Sequence, residues 1–264
     1  MQAQSDLLKK VIFRFFCVLA LSSSLGFLFG CGTSGPPHPL SGGVVVGSSS
    51  AFFTRQDIYH EVARMETLWR ISKMYGVDVN AVMAANGLKD PNSIEVGQKL
   101  LIPQAASSAR SVIPLYTTRP WAYIVIHHSA THDGNALMID KLHFRRGFEN
   151  GLGYHFLIDN GTLGKGLGQI EIGPRWVKQE NGAHCNAAGM NENGIGICLI
   201  GNYSESYVPE TQLESLVFLV NTLRAHYRIP LDHIIRHRDV PGKNTECPGN
   251  YFPWDEFKRR LRSS

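Results

Sequence analysis

The stretch "YIVIHHSA", Tyr123 to Ala130, runs one aromatic and three β-branched residues into a pair of histidines. A run that is apolar at successive positions is buried on both faces, as a strand inside a sheet must be. "GIGICLIG", Gly194 to Gly201, reads the same way and is apolar enough to be central. "YHFLID", Tyr154 to Asp159, followed by Asn160-Gly161, reads as a strand entering a tight turn. Between these strands and after them lie helical patterns. Residues Asn135 to Arg146 carry one, and Leu213, Leu216, Val217, Val220, Leu223 and Tyr227 recur at three- and four-residue steps between Pro209 and Pro230. A last helix places Trp254, Phe257 and Leu261 on one side, with Lys258, Arg259 and Arg260 toward the end where the helix dipole favours cations. Strands and helices interleave, so the class is α/β.

Upstream of this large module the composition shifts twice. "QAASSARS", Gln104 to Ser111, is a break of small residues, and "GTSGPPHPLSGGVVVGSSS", Gly32 to Ser50, is rich in Gly, Ser and Pro and reads as a flexible tether. Between them is a small module. Tyr59 to Val62 and Lys99 to Ile102 have strand character, and Thr67 to Tyr75 and Val79 to Asn86 have helical spacing, with Gly76 and Gly87 at C-cap positions. Its order is strand, helix, helix, strand. At the N-terminus, Lys9, Lys10 and Arg14 precede an apolar run from Phe15 to Gly30, which is the layout of a secretion signal. The expected organisation is a signal over 1–30, a tether over 31–56, the small module over 57–104, a linker over 105–116 and the large module over 117–264.

A hydrophobic share of 43% with 18% charged residues suits a protein with a packed core. The formal charge is +4, and the first thirty residues contribute +2 of it (Lys9, Lys10 and Arg14 against Asp6), leaving +2. So weak a basic excess, on a chain expected to be exported, argues against nucleic acid as a partner. Five cysteines stand at 17, 31, 185, 198 and 247; the signal would discard the first. If Cys31 is modified, three remain, an odd number, which leaves room for a cysteine occupied by a metal and equally for a Cys185 to Cys198 bridge.

The residues able to do chemistry are His127 or His128, His237 and Cys247. Neighbours in a strand point to opposite faces, so only one of His127 and His128 can share a pocket with His237. His237 and Cys247 stand ten residues apart in "HRDVPGKNTECPG". Two imidazoles and a thiolate suit Zn²⁺ with a fourth position open to water. Taken singly, each also has an ordinary reading: a loop histidine held by Asp239, and a buried thiol ahead of Pro248.

Resemblance narrows these alternatives. "TLWRISKMYGV", "NGL" and "VGQKLLIP" in the small module are similar to the LysM domain, a βααβ module that binds the N-acetylglucosamine-containing glycan of peptidoglycan or chitin. The departure is "ARMET", where Met65 stands at the place of a family glycine. In the large module, "IVIHHSA", "GYHFLID", "GAHCNAAGMNENGIGICLIGNY" and "HRDVPGKNTECPG" resemble the zinc-dependent N-acetylmuramoyl-L-alanine amidases of the amidase_2 and peptidoglycan-recognition-protein superfamily. That resemblance implies a central mixed β-sheet flanked by helices. It also implies zinc ligands at His127, His237 and Cys247, catalytic roles for Tyr154 and Thr245, and a substrate-groove position for His184, itself a candidate to protonate the departing amine. "LFGC", Leu28 to Cys31, resembles a bacterial lipobox and implies lipidation of Cys31. Gly32 after it implies an outer-membrane location facing the periplasm. The expected activity is hydrolysis of the amide between N-acetylmuramic acid and L-alanine of the peptidoglycan stem, one Zn²⁺ per catalytic domain, with LysM holding glycan and a lipid anchor holding membrane. Two rivals are a non-catalytic peptidoglycan recognition protein and a zinc peptidase acting on another stem bond.

Overall fold

The computed structural model describes residues 44–47, 55–106 and 111–263. The expected signal over 1–30, the expected lipidation at Cys31 and most of the expected tether lie outside the described residues. After a short strand β1 (Val44–Gly47), the small module forms as strand, helix, helix, strand: β2 (Arg55–Glu61), α1 (Leu68–Tyr75), α2 (Val79–Ala85) and β3 (Lys99–Ala106). β2 and β3 pair antiparallel. Both helices begin on a side-chain cap, Thr67 accepting from the Arg70 N–H and Asp78 from the Asn80 N–H, which satisfies donors the first turn leaves open. Leu68, Ile71, Val82, Leu100 and Ile102 fill the space between the helices and the β2–β3 pair. Beneath them the buried Glu66 carboxylate accepts from His60 at 2.8 Å and from the Ala63 N–H at 2.7 Å. Burial alone would raise the Glu66 pKa; His60 and Arg70 outweigh it and hold the carboxyl well below its usual range.

The large module is built on five strands in the order β7-β6-β8-β5-β9, namely β5 (Tyr123–His128), β6 (Phe156–Asn160), β7 (Leu167–Ile172), β8 (Gly194–Leu199) and β9 (Ile234–Arg236). β6, β8, β5 and β9 run parallel and β7 antiparallel, so the sheet is mixed, as expected. Alternation divides its two faces. Ile124, Ile126, Ile195, Ile197, Phe156 and Ile158 turn toward one, where α6 (Glu210–Tyr227) supplies Leu213, Leu216, Val220 and Leu223, and α7 (Trp254–Arg262) supplies Phe257 and Leu261. The intervening residues, Val125, His127, Gly196, Cys198 and Leu157, turn to the other face. There α3 (Ala136–Arg145) covers part of the sheet with Ala136 and Ile139, while Cys185, Met190 and Val240 form a separate cluster. Two short helices, α4 (Pro174–Lys178) and α5 (Met190–Asn193), complete the module.

Within the stretch 105–116, read from composition as a linker, the described residues on either side of 107–110 include strand residues. β3 continues through Ala106, and β4 (Ser111–Pro114) pairs with β1. Adjacent side chains of β4 serve different cores: Val112 joins the small module's cluster and Ile113 the large module's. The period of two in a strand is what lets four residues bind to both sides. Met65 adopts φ 63°, the left-handed conformation for which glycine is the usual solution, and its side chain packs against the large module's core. Lys165 ties the modules further: its Nζ lies 2.8 Å from Glu171 Oε2, with both side chains at most 2% exposed, and donates to the Glu61 carbonyl at 3.2 Å. Arg64 reaches Asp140 at 3.5 Å, and the Gln169 amide reaches Met74 Sδ at 3.6 Å.

Candidate metal centre

β5 delivers His127 onto the sheet face not covered by α6, level with Cys198 across the parallel β5–β8 ladder. His128, its neighbour, turns the other way and accepts the Tyr203 N–H on Nδ1 at 3.1 Å. The alternative between the two histidines is thereby settled by alternation. β9, on the other side of β5, ends at Arg236 and hands the chain to His237 in a single turn of tight helix. Asp239 closes that turn by pairing with Arg236 at 2.7 and 2.9 Å, rather than reaching either histidine. The loop that follows returns Cys247 to the strand ends, where the Arg238 N–H donates to the Cys247 carbonyl at 2.9 Å.

The donor atoms of His127, His237 and Cys247 all lie within 4.8 Å of one another. Cys247 Sγ is 3.7 Å from His127 Nδ1 and accepts from the His128 N–H at 3.4 Å. His237 Nε2 is buried with no hydrogen-bond partner among the described residues, a cost that a bound cation would remove. Burial, reinforced by neighbouring histidines, lowers the pKa of His127 well below the ordinary imidazole value, and burial with Lys243 lowers His237 to about 4. Both rings are therefore neutral at pH 7, as ligands must be. Burial pushes the Cys247 thiol up to about 12, so without a cation this sulfur stays protonated and inert. Two neutral imidazoles, one cysteine and no carboxylate form a donor set that fits Zn²⁺ with an open position.

Tyr154 precedes β6 and stands beside the cluster, its ring centroid 5.2 Å from that of His127. Burial, then the thiols of Cys198 and Cys247, raise its pKa well above 10, so the phenol keeps its proton. Thr245 Oγ1 accepts the Cys247 N–H at 3.2 Å, which leaves the hydroxyl proton for another acceptor. His184 sits beneath His127 rather than in an open groove. Its Nδ1 is 3.1 Å from His127 Nε2 and its Nε2 is 3.1 Å from the Gly194 carbonyl, so both nitrogens have protein partners. Cys185 and Cys198 are free thiols in different clusters. Two neighbours of the site are not marked as such by the sequence: Cys198, which the cysteine count offers only for a bridge with Cys185, and Lys243, in the loop after His237.

Residues 117–250, just over half of the chain, match the N-acetylmuramoyl-L-alanine amidase family Amidase_2. The chain belongs to that family. Residues 60–103 match the LysM domain, so this family member carries a peptidoglycan-binding type of module ahead of its amidase domain. Among curated relatives, an endolysin of Enterobacteria phage T3 is 30% identical over 136 residues, which are 47% of this chain and 78% of the relative. A probable endopeptidase p60 of Listeria monocytogenes is 41% identical over 63 residues, 24% of this chain and 13% of that protein. Among solved structures, the N-acetylmuramoyl-L-alanine amidase LysCS from Clostridium intestinale is 37% identical, with 54% of this chain and 84% of that one aligned at a TM-score of 0.46.

Proposed function

We propose that this chain is a Zn²⁺-dependent amidase that cleaves the bond between the lactyl carbonyl of N-acetylmuramic acid and the L-alanine nitrogen of the peptidoglycan stem. The observation that carries the reading is the convergence of His127, His237 and Cys247 within 4.8 Å beside a protonated tyrosine, in a chain of this family. When bound, Zn²⁺ would supply a water of lowered pKa and polarise the scissile carbonyl.

The chain's own residues supply the rest. His127, His237 and Cys247 would hold the ion. The Tyr154 phenol, kept protonated by its burial, donates to the oxygen on which charge develops or to the attacking water. Thr245, with its hydroxyl oxygen engaged by the Cys247 N–H, directs its proton toward the same oxygen. His184 is held from both sides inside the protein, which speaks against its giving a proton to the leaving amine. LysM would present glycan to this pocket. Because Val112, Ile113 and the contact of Lys165 with the Glu61 carbonyl fasten the two modules together, glycan held there would arrive in a fixed register and not on a loose tether. The proposal includes export and attachment through Cys31 to the outer membrane, facing the periplasm.

The products decide between bonds. Digestion of purified peptidoglycan should yield intact glycan and free peptides that begin with alanine, identified by mass; peptides cut inside the stem would replace this reading with a peptidase, and bound but uncut peptidoglycan with a recognition protein. Tyr154→Phe removes one donor and should lower kcat by about 10²- to 10³-fold with the fold and zinc content unchanged. A loss of less than fivefold in single-turnover assays would take Tyr154 out of the chemistry.

A further inference from the structure

His184 has a place built for it. On the sheet face that carries His127, β8 offers Gly196, and the loop before His184 offers Gly182. A Cβ at Gly196 would lie 2.4 Å from His184 Cδ2, and one at Gly182 would lie 2.3 Å from the same atom. Both distances are impossible for real atoms, so the imidazole lies in a slot that exists because two side chains are missing. The backbone beneath it is fixed as well, since the His184 and Cys185 N–H groups both donate to Asn191 Oδ1, at 2.9 and 2.8 Å.

The hydrogen bonds then run in one direction. The Gly194 carbonyl only accepts, so His184 Nε2 carries the proton of that 3.1 Å contact. A neutral ring protonated at Nε2 presents a lone pair at Nδ1, which accepts the proton of His127 Nε2 across 3.1 Å. His127 is left with its lone pair at Nδ1, the nitrogen 3.7 Å from Cys247 Sγ. We infer that His184 is a positioning residue which, seated on Gly196 and Gly182 and anchored to the Gly194 carbonyl, holds His127 in the tautomer and orientation that aim Nδ1 at the metal site. A ligand histidine whose distal N–H is so engaged is both oriented and made a better donor, and losing such a partner typically costs about 10- to 100-fold in metal affinity. The inference rests on the zinc reading above, though not on which bond is cut.

The test uses two variants of the full chain. His184→Phe keeps a ring in the slot and removes both nitrogens; His184→Asn keeps an acceptor toward His127 and gives up the Gly194 contact. Zinc affinity is read by competition with a chromophoric chelator, and the His127 tautomer in the zinc-free protein by ¹⁵N shifts of its ring. The Phe variant should bind zinc about 10- to 100-fold more weakly and lose the single Nε2–H tautomer that the parent shows, and the Asn variant should recover most of both. Equal zinc affinity in the parent and the Phe variant, or an Nδ1–H tautomer in the parent, overturns the assignment. A parent that holds no zinc at all overturns it together with the metal reading.

Discussion

Cys247→Ala is expected to lower amide cleavage by more than about 10³-fold, beyond the loss from removing a single hydrogen-bond donor, because under the proposed zinc chemistry it would remove a metal ligand and not a helper. The thiol sits at the meeting point of three structural features: the His128 N–H at the end of β5, the Nδ1 of His127 and the turn begun by Thr245. Alanine fits that space without strain, so the effect should be one of chemistry and not of folding. Zinc measured by atomic absorption after gel filtration should fall from about one per chain to near zero, while cosedimentation with peptidoglycan through the LysM module persists. Cleavage by Cys247→Ala within tenfold of the parent would remove this cysteine from the ligand set.

The second large effect concerns stability. Lys165, almost fully buried, faces Glu171 at 2.8 Å while donating to the Glu61 carbonyl of the small module. Burial alone would lower its pKa, but Glu171 and the acids around it outweigh that and raise it, so the ammonium is charged. Burial and the adjacent Glu171 push Asp159 far above the usual carboxylate range, so Asp159 keeps its proton, and the lysine pairs with Glu171. Lys165→Met leaves that carboxylate uncompensated and should cost about 3–5 kcal/mol. At about 2–4 °C per kcal/mol for a protein of this size, the midpoint of thermal unfolding should fall by about 6–20 °C. Amide exchange should rise first in β2, whose Glu61 carbonyl accepts from Lys165, and in its partner β3. A shift under 2 °C would mean that the pair contributes nothing net.

The parts legible in the sequence are those whose local pattern agrees with their final environment. β5 and β8 are apolar throughout because both of their faces are covered, and α6 shows its buried stripe because only one of its faces meets the sheet. β7 was hidden. "LGQIEI" carries a glycine, a glutamine and a glutamate, and these suit a strand because Glu171 pairs with Lys165, six residues earlier, and accepts the N–H of Ala136, thirty-five residues away and outside any local window. β9 is three residues long and gives no periodic signal. At the junction of the modules the composition shows only a break of small residues over 104–111, while Val112 and Ile113 directly after it are claimed by two different cores, an assignment that composition does not carry. Met65 was visible as a departure from the LysM pattern, and its purpose becomes clear only when its side chain is seen against the large module.

At the site, strand alternation separates His127 from His128 without saying which one meets His237; in the structure it is His127 that lies beside His237, while His128 turns to Tyr203. The resemblance gave His184 a place along the substrate, whereas the two glycines that make its slot are separated from each other by fourteen positions and announce nothing by themselves. What a glycine omits is visible only from the group that occupies the space.

The most direct test of the account is metal-dependent cleavage by the full chain. The protein would be stripped with chelator, assayed on purified peptidoglycan and assayed again after one equivalent of Zn²⁺, with new amino termini identified by chemical labelling and mass. The account predicts that N-terminal alanine appears with the untreated protein, vanishes on stripping and returns with zinc. Alanine termini released undiminished by the stripped protein would contradict it.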